Sequence, residues 1–328
     1  MTAQAIVLRA HGDADRLAVE TIDVPHAGPG EIRIRQTAIG VNFHDVYVRN
    51  GSYRTLPLPG IPGIEAVGVI EEVGAGVVGH AVGDRVGYVT GTYGAYAGMR
   101  VLPADLAIPI PAAFDDRQAA SLLLKGMTAQ MLLRQVHRIR AGETILVHAA
   151  AGGVGRLLCQ WASRLGATVI GTVGGDEKAR IAEAAGCHHT VLYRDTDFVP
   201  AVMELTAGAG VDVAYDSVGK DTFDGSLAVL GPLGHLVNFG QASGPVPPFE
   251  VSRLAARSNS LTRPIIFHYL ADPARRNAMA VDLFTALEAG ILSAPDCETF
   301  PLSHAADAHR RLESRLAGGA VVLVPEGG

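Results

Sequence analysis

The chain has 328 residues, 48% of them apolar and 18% charged, with a formal net charge of -6. That length accommodates two domains and that composition a sizeable core, which excludes wholesale disorder. A mildly acidic surface argues against general binding to nucleic acid or anionic membrane, both of which need clustered Lys and Arg.

Residues 1–100 read as β-rich. The runs "AIVLRA", "LAVETIDV", "EIRIRQTAI", "AVGVIEEVG" and "DRVGYV" alternate or are apolar, and Gly, Pro and Asp separate them. One helix interrupts them, "NFHDVYVRNG", with Asn42 as its cap, Asp45 three residues on and Gly51 at its end. From about residue 115 the rhythm changes, and "DDRQAASLLLKGMTAQMLLRQVHRIR" has helical periodicity up to Gly142. Strands "ETILVHA", "TVIGTV", "HTVLY", "VDVAYDS" and "GHLVNFG" then alternate with helices such as "VGRLLCQWASRLG" and "DEKARIAEAAG". Strict alternation implies a parallel sheet covered on both faces. Two late helices follow. Asp272 caps the first, with Pro273 in its first turn and Gly290 past its end, and Ser303 and Gly318 take the cap and terminator roles in the second. "AVVLVP" is a closing strand, so a doubly wound domain is inserted between two parts of another.

"HAAAGGVGRL", residues 148–157, sits between a strand and a helix. Ala150, Gly152 and Gly155 occupy the three positions of the dinucleotide fingerprint G-x-G-x-x-G. Gly152 lets backbone approach a pyrophosphate, Gly155 lets the helix pack close, and Ala150 substitutes for the turn glycine provided its φ stays negative. A ribose-binding Asp or Glu belongs at the end of the second strand. This chain has Gly174-Gly175 there, with Lys178 following. The missing acid and nearby cation favour a 2′-phosphate and hence NADPH. Asp176 is the counter-argument, since a slightly different turn brings it to the ribose, and its plainer role is to cap the next helix.

Taken with "GTVGGDEKA", "VNFGQASGPVPPF", "LTRPIIFHY", "GVNFHDVYVRNGSY", "PGIEAVGVIEEVG", "GDRVGY" and "LLLKGMTAQ", the loop makes nearly the whole chain resemble the zinc-independent, zeta-crystallin-like quinone oxidoreductases of the medium-chain dehydrogenase/reductase superfamily. The resemblance implies an α/β fold: a Rossmann doubly wound parallel sheet (123–264) inserted in a β-rich GroES-like catalytic domain (1–122 and 265–328), with a cleft between them. It also implies NADPH and a homodimer.

Carried over residue by residue, the resemblance places Gly152, Gly153 and Val154 at the pyrophosphate. It places Lys178 and Tyr193 at the 2′-phosphate with Gly174 leaving room, and Arg315 near the cofactor. Asn42, Lys125 and Thr128 become nicotinamide- or ribose-side contacts, and Phe239 and Gly240 line the same cleft. Gln241 stands where many relatives have Asn, and Arg194 is another cation beside Tyr193 without motif support.

No metal is expected. Ile64 stands where zinc-dependent relatives have a His ligand, and no Cys precedes Cys159. Glu65 remains, in a structural role. The chemistry the resemblance implies is hydride transfer to a quinone or similar conjugated carbonyl, with Asn42, Tyr47 and Tyr53 near the acceptor. Asn42 donates to a developing oxyanion, and the tyrosines donate or relay a proton. The alternatives are a helix cap for Asn42 and packing roles for both tyrosines.

An enone reductase uses the same hydride, and the loops around Tyr53, Tyr93 and His268-Tyr269 separate the two acceptors. A non-enzymatic RNA-binding or structural role lacks any basic stripe with aromatics. Arg263 is expected to hold another chain segment, Cys159 to fill core, and "GHLVNFG" to be an exposed sheet edge available to a partner. No apolar run of about 18 residues and no secretory leader is seen, so a cytoplasmic protein is expected.

Overall fold

The structure, a computed structural model, describes residues 1–314 and 319–326. In chain order the first elements are β1 (Thr2–Leu8), β2 (Leu17–Asp23), β3 (Glu31–Val41), α1 (Phe43–Asn50), β4 (Glu65–Val73), β5 (Arg85–Val89), β6 (Met99–Pro103), β7 (Ile108–Pro109) and α2 (Asp116–Met131). The alternating part follows: β8 (Thr144–His148), α3 (Gly153–Arg164), β9 (Thr168–Val173), α4 (Asp176–Ala184), β10 (His189–Leu192), α5 (Phe198–Leu205), β11 (Val211–Asp216), α6 (Phe223–Ala228), β12 (Leu230–Asn238) and β13 (Ser260–Thr262). The chain closes with α7 (Ile266–Leu270), α8 (Pro273–Glu288), β14 (Cys297–Pro301), α9 (Ala305–Glu313) and β15 (Ala320–Val324).

The chain divides into two compact units. One comprises Met1–Leu124, Leu270–Phe284 and Ala294–Gly328, the other Lys125–Tyr269 and Thr285–Ser293. The first holds a seven-stranded sheet in the order β14-β15-β3-β4-β5-β7, with β6 also on β3, and the separate ribbon β1-β2. Its pairings are antiparallel except β14 with β15. Alternation in β3 and β4 turns Ile32, Ile34, Ile39 and Ile70 inward, where they meet Tyr88, Tyr96 and Leu323 in one core.

The second unit holds a six-stranded sheet, all parallel, in the order β10-β9-β8-β11-β12-β13. Its core gathers Leu146, Ile170, Ala214 and Leu236 beneath α5 and α6. By position in the unit the strand order is 3-2-1-4-5-6, so the order reverses between β8 and β11.

Several expectations need correction. "GHLVNFG" lies inside the sheet, because β12 pairs with both β11 and β13, and the edges are β10 and the three-residue β13. The helix from residue 116 ends at Met131 and continues as a π-helical turn, Leu132–Val136, not as α-helix toward Gly142. Asp176 is the first residue of α4 and not its cap, since Gly175 precedes it at φ 157° and ψ 170°, a conformation essentially confined to glycine. Ser303 does not cap α9 either. It lies in a 3-10 turn, and its Oγ donates to Glu326 Oε1 at 2.6 Å. Gly318, the expected terminator, lies outside the described residues. The elements β6, β7, β13, β14 and α7 are additions to the expected ones, while α5 and α6 are the helices that the alternation implied between β10, β11 and β12.

Candidate active site

The turn between β8 and α3 is built as the fingerprint requires, with one displacement. The left-handed residue is Ala149 at φ 51°, while Ala150 is fully buried and is not among the positive-φ residues. Ala150 N donates to Thr172 O at 3.1 Å and Gly152 N to Ala149 O at 2.8 Å, which closes the turn. A Cβ on Gly155 would fall on Ala149 O, so only glycine lets α3 lie this close to β8. Gly152 and Gly153 are exposed at the helix start, where the first-turn N–H groups and the helix dipole favour an anion. Val154 follows, half-buried. The Lys125 stem lies against Gly153, with Cδ 2.9 Å from where a Cβ would stand. Thr128, one turn along α2, is half-buried.

The end of β9 forms a second corner. A Cβ on Gly174 would come within 2.9 Å of Tyr193 Oη and 3.6 Å of Arg194 Nε. This corner is open, since Tyr193 and Arg194 are exposed and Lys178 is half-buried in the first turn of α4. Past the end of β12, Phe239 N and Gly240 N donate to Asp216 O at 2.8 and 3.3 Å. Arg263 donates to Asn238 O at 3.0 Å and Gly240 O at 3.1 Å, so it does hold another chain segment. These loops all leave carboxyl ends of strands around the reversal point, where open α/β sheets take their ligands. A dinucleotide fits them. The exposed backbone of Gly152 and Gly153 leaves room for a pyrophosphate, and the Gly174 corner offers a hydroxyl and cations where an acid would repel a phosphate.

Beneath the loop is a buried network that the sequence reading missed. His148 places Nδ1 2.9 Å from Thr172 Oγ1 and Nε2 2.9 Å from Ser226 Oγ. Burial pushes its pKa down against the opposing pull of Asp216, so the imidazole is neutral. Asp216 accepts from Val218 N, Gly219 N and Thr222 Oγ1 at 2.8–2.9 Å. The signal was available, since His148 and Asp216 each end a strand on the ligand side.

In the other unit, Asn42 precedes α1 and is 7% exposed. Its backbone N donates to Asp45 Oδ2 at 2.8 Å and its side chain accepts from Asp45 N, the two halves of a capping box, so the expected cap role is present. Its Nδ2 donates to Glu65 Oε1 at 2.6 Å. The carboxylate only accepts, which settles the amide's orientation. Tyr47 and Tyr53 come together, with ring centroids 5.2 Å apart in an edge-on contact and Tyr53 N donating to Tyr47 O at 2.9 Å. His44 meets Tyr53 edge-on at 5.5 Å, and its Nε2 lies 3.0 Å from Tyr93 Oη. Burial drives the His44 pKa down to about 4.

Cys159 is fully buried core. Ile64 is also buried, and among the described residues no group of three or more His, Cys, Asp or Glu is arranged to hold a metal. Arg315 lies outside the described residues.

Two family models match. One described as alcohol dehydrogenase GroES-like domain covers residues 28–112, and one described as zinc-binding dehydrogenase covers residues 153–283. A 2-haloacrylate reductase from a Burkholderia species is 44% identical over 98% of this chain and 99% of its own. A quinone oxidoreductase from Pseudomonas aeruginosa is 43% identical over 98% of this chain and 100% of its own. The crystal structure of the Escherichia coli quinone oxidoreductase complexed with NADPH superposes with a TM-score of 0.95 at 39% identity, covering 98% of this chain and 100% of that one. With that identity over that length, the chain belongs to the quinone oxidoreductases of the medium-chain dehydrogenase/reductase superfamily.

Proposed function

We propose that the protein is an NADPH-dependent reductase of quinones and similar conjugated carbonyls that works without a metal. The observation that carries the cofactor choice is the corner at the end of β9. Gly174 stands where a ribose-binding acid would, and Tyr193 Oη and Arg194 pack over it. Lys178 and Tyr193 take the 2′-phosphate, with Arg194 as a further cation. Gly152, Gly153 and Val154 hold the pyrophosphate. Lys125, Thr128, Phe239 and Gly240 flank the ribose and nicotinamide.

Bound NADPH supplies the hydride, and the protein's task is to place the acceptor and steady the negative charge that develops on its oxygen. One Nδ2 proton of Asn42 is committed to Glu65, and the other is the donor to that oxygen. Tyr47 and Tyr53, held edge to face, shape the acceptor's surroundings and deliver a proton from their hydroxyls.

Reduction of α,β-unsaturated acceptors is the second reading, favoured by the 44% identity to a 2-haloacrylate reductase. The same hydride then goes to carbon. Oxidation of NADPH and NADH by the chelator-treated protein, with 1,4-benzoquinone or a simple enone as acceptor, separates the readings. NADPH-selective turnover of the quinone is the expected result. Turnover of the enone alone moves the protein to the alkene reductases, and a preference for NADH overturns the cofactor assignment.

The protein acts in the cytoplasm as a homodimer in this proposal. No helix among the described residues is long and apolar enough to cross a membrane. The short outer strand β13 leaves one side of its backbone available for pairing with a second copy. Light scattering at micromolar concentration checks the assembly.

A further inference from the structure

Glu65 is the first residue of β4 and is fully buried. Its Oε1 accepts from Asn42 Nδ2 at 2.6 Å, and its Oε2 accepts from Leu124 N at 2.8 Å. Leu124 is the residue before Lys125 in the chain. One carboxylate therefore holds both the Asn42 side chain and the backbone that leads into Lys125. Room for it is built into the neighbouring strand, since a Cβ on Gly40 would run into Glu65 Oε1 and Ala120 O. A carboxylate carried to zero exposure is costly unless its hydrogen bonds are met. Here both oxygens are met, and an apolar side chain of similar size would take the acceptor away from Asn42 Nδ2 and Leu124 N.

We propose that Glu65 is a positioning residue for the reduction, acting through Asn42. This rests on the proposed role of Asn42 as donor to the acceptor oxygen. Glu65 accepts at both oxygens, from Asn42 Nδ2 and from Leu124 N, and this pairing goes with one rotation of the carboxamide, Nδ2 toward Glu65 and Oδ1 away from it. That rotation aims the second Nδ2 proton in a fixed direction. The alternative rotation, differing by 180°, would set oxygen against oxygen at 2.6 Å. Glu65 on the Nδ2 side and the capping-box bond from Asp45 N on the side-chain oxygen thus select one orientation of the amide, and do so before any ligand arrives, which is the preorganisation that electrostatic catalysis requires.

The variant that tests this is Glu65→Gln, which keeps size and shape. A glutamine has one acceptor oxygen where glutamate has two, so with that oxygen kept on Leu124 N its NH2 faces Asn42. Donor then faces donor, and the Asn42 amide loses its partner; it either gives up the aim of its Nδ2 or turns Oδ1 to the new NH2 at the expense of the capping bond from Asp45 N, and in both cases its donor is no longer held in place. The expected result is a kcat about tenfold lower or more, within the range seen when an oxyanion donor is lost, with the NADPH Kd by calorimetry within twofold of wild type. In the cofactor-free protein, the Asn42 side-chain amide signal, assigned by its absence in Asn42→Ala, shifts on Glu65→Gln.

The cycle with Asn42→Ala isolates the mechanism. If Glu65 acts through Asn42, Glu65→Gln adds no further loss of kcat in the Asn42→Ala background. An equal loss in both backgrounds, or a wild-type kcat and unmoved amide signal in Glu65→Gln, overturns the proposal while leaving the Asn42 role standing. A wild-type kcat in Asn42→Ala removes that role and this proposal with it. Should Glu65→Gln fail to fold, Glu65→Asp, which draws the acceptor back by one methylene, is run through the same cycle with the same outcomes.

Discussion

Ala150, at the turn position of the phosphate loop, is received by Gly171 in the adjacent strand. A Cβ on Gly171 would lie 2.6 Å from the Ala150 methyl and 2.7 Å from Cys187 Sγ. The methyl that departs from the glycine fingerprint therefore points into the sheet, away from the side where phosphates bind. Gly171→Ala overpacks this spot and is expected to cost about 1–3 kcal/mol. Adding Ala150→Gly relieves part of the clash, with Cys187 accounting for the remainder, so the double variant is more stable than the sum of the singles. Urea unfolding of the four proteins measures the coupling, and strict additivity would show that the two residues do not share the space.

At Gly155 the space is closed by backbone. The added methyl of Gly155→Ala has to push α3 away from Ala149 O, which displaces the helix start that faces the pyrophosphate. Stability is expected to fall by about 1–3 kcal/mol, and the NADPH Kd to rise at least tenfold. Calorimetric titration and a melting curve check both. Tight NADPH binding by a destabilised variant would separate packing from cofactor recognition.

Lys178→Ala tests the 2′-phosphate assignment. A hydrogen bond to a charged group contributes about 1.5–3 kcal/mol, so the NADPH KM is expected to rise roughly ten- to a hundredfold while that for NADH changes little. Equal effects on both cofactors would place Lys178 elsewhere.

Acid should destabilise the protein through its buried histidines. Burial lowers the pKa of His44 to about 4, and burial together with Arg49 lowers that of His309 to about 3, both from 6.5. Between those values and 6.5 the unfolded chain takes up protons that the folded chain refuses, so stability is present above pH 6.5 and is lost as pH falls. Each histidine contributes a slope of about 1.4 kcal/mol per pH unit in that window. His309→Gln, which keeps a polar partner for Tyr96, should shrink the stability difference between pH 7 and pH 5 by about 2 kcal/mol. An unchanged difference in urea unfolding would mean that His309 titrates normally.

Local signals were legible where a residue acts on its own neighbours. The cap at Asn42 and the end at Gly51 bounded α1 correctly, because a helix terminus is a matter of a few adjacent backbone groups. Asp272, Pro273 and Gly290 did the same for α8. The regular strands of the parallel sheet were read from apolar runs between glycines. The two- and three-residue strands β7 and β13 escaped, since so short a segment carries no period and is defined by its partner.

Residue pattern by itself determined the alternation of strand and helix, the fingerprint loop, the missing acid at Gly174 and, through the resemblance, the family. Only the tertiary structure decided that β12 is interior, that Ala149 and not Ala150 takes the left-handed turn, and that Glu65 commits one proton of Asn42. The physical reason is distance along the chain. Periodicity and capping depend on residues within a turn or two, whereas sheet order, the room Gly171 gives Ala150 and the bond across 23 positions from Asn42 to Glu65 exist only once remote segments have packed.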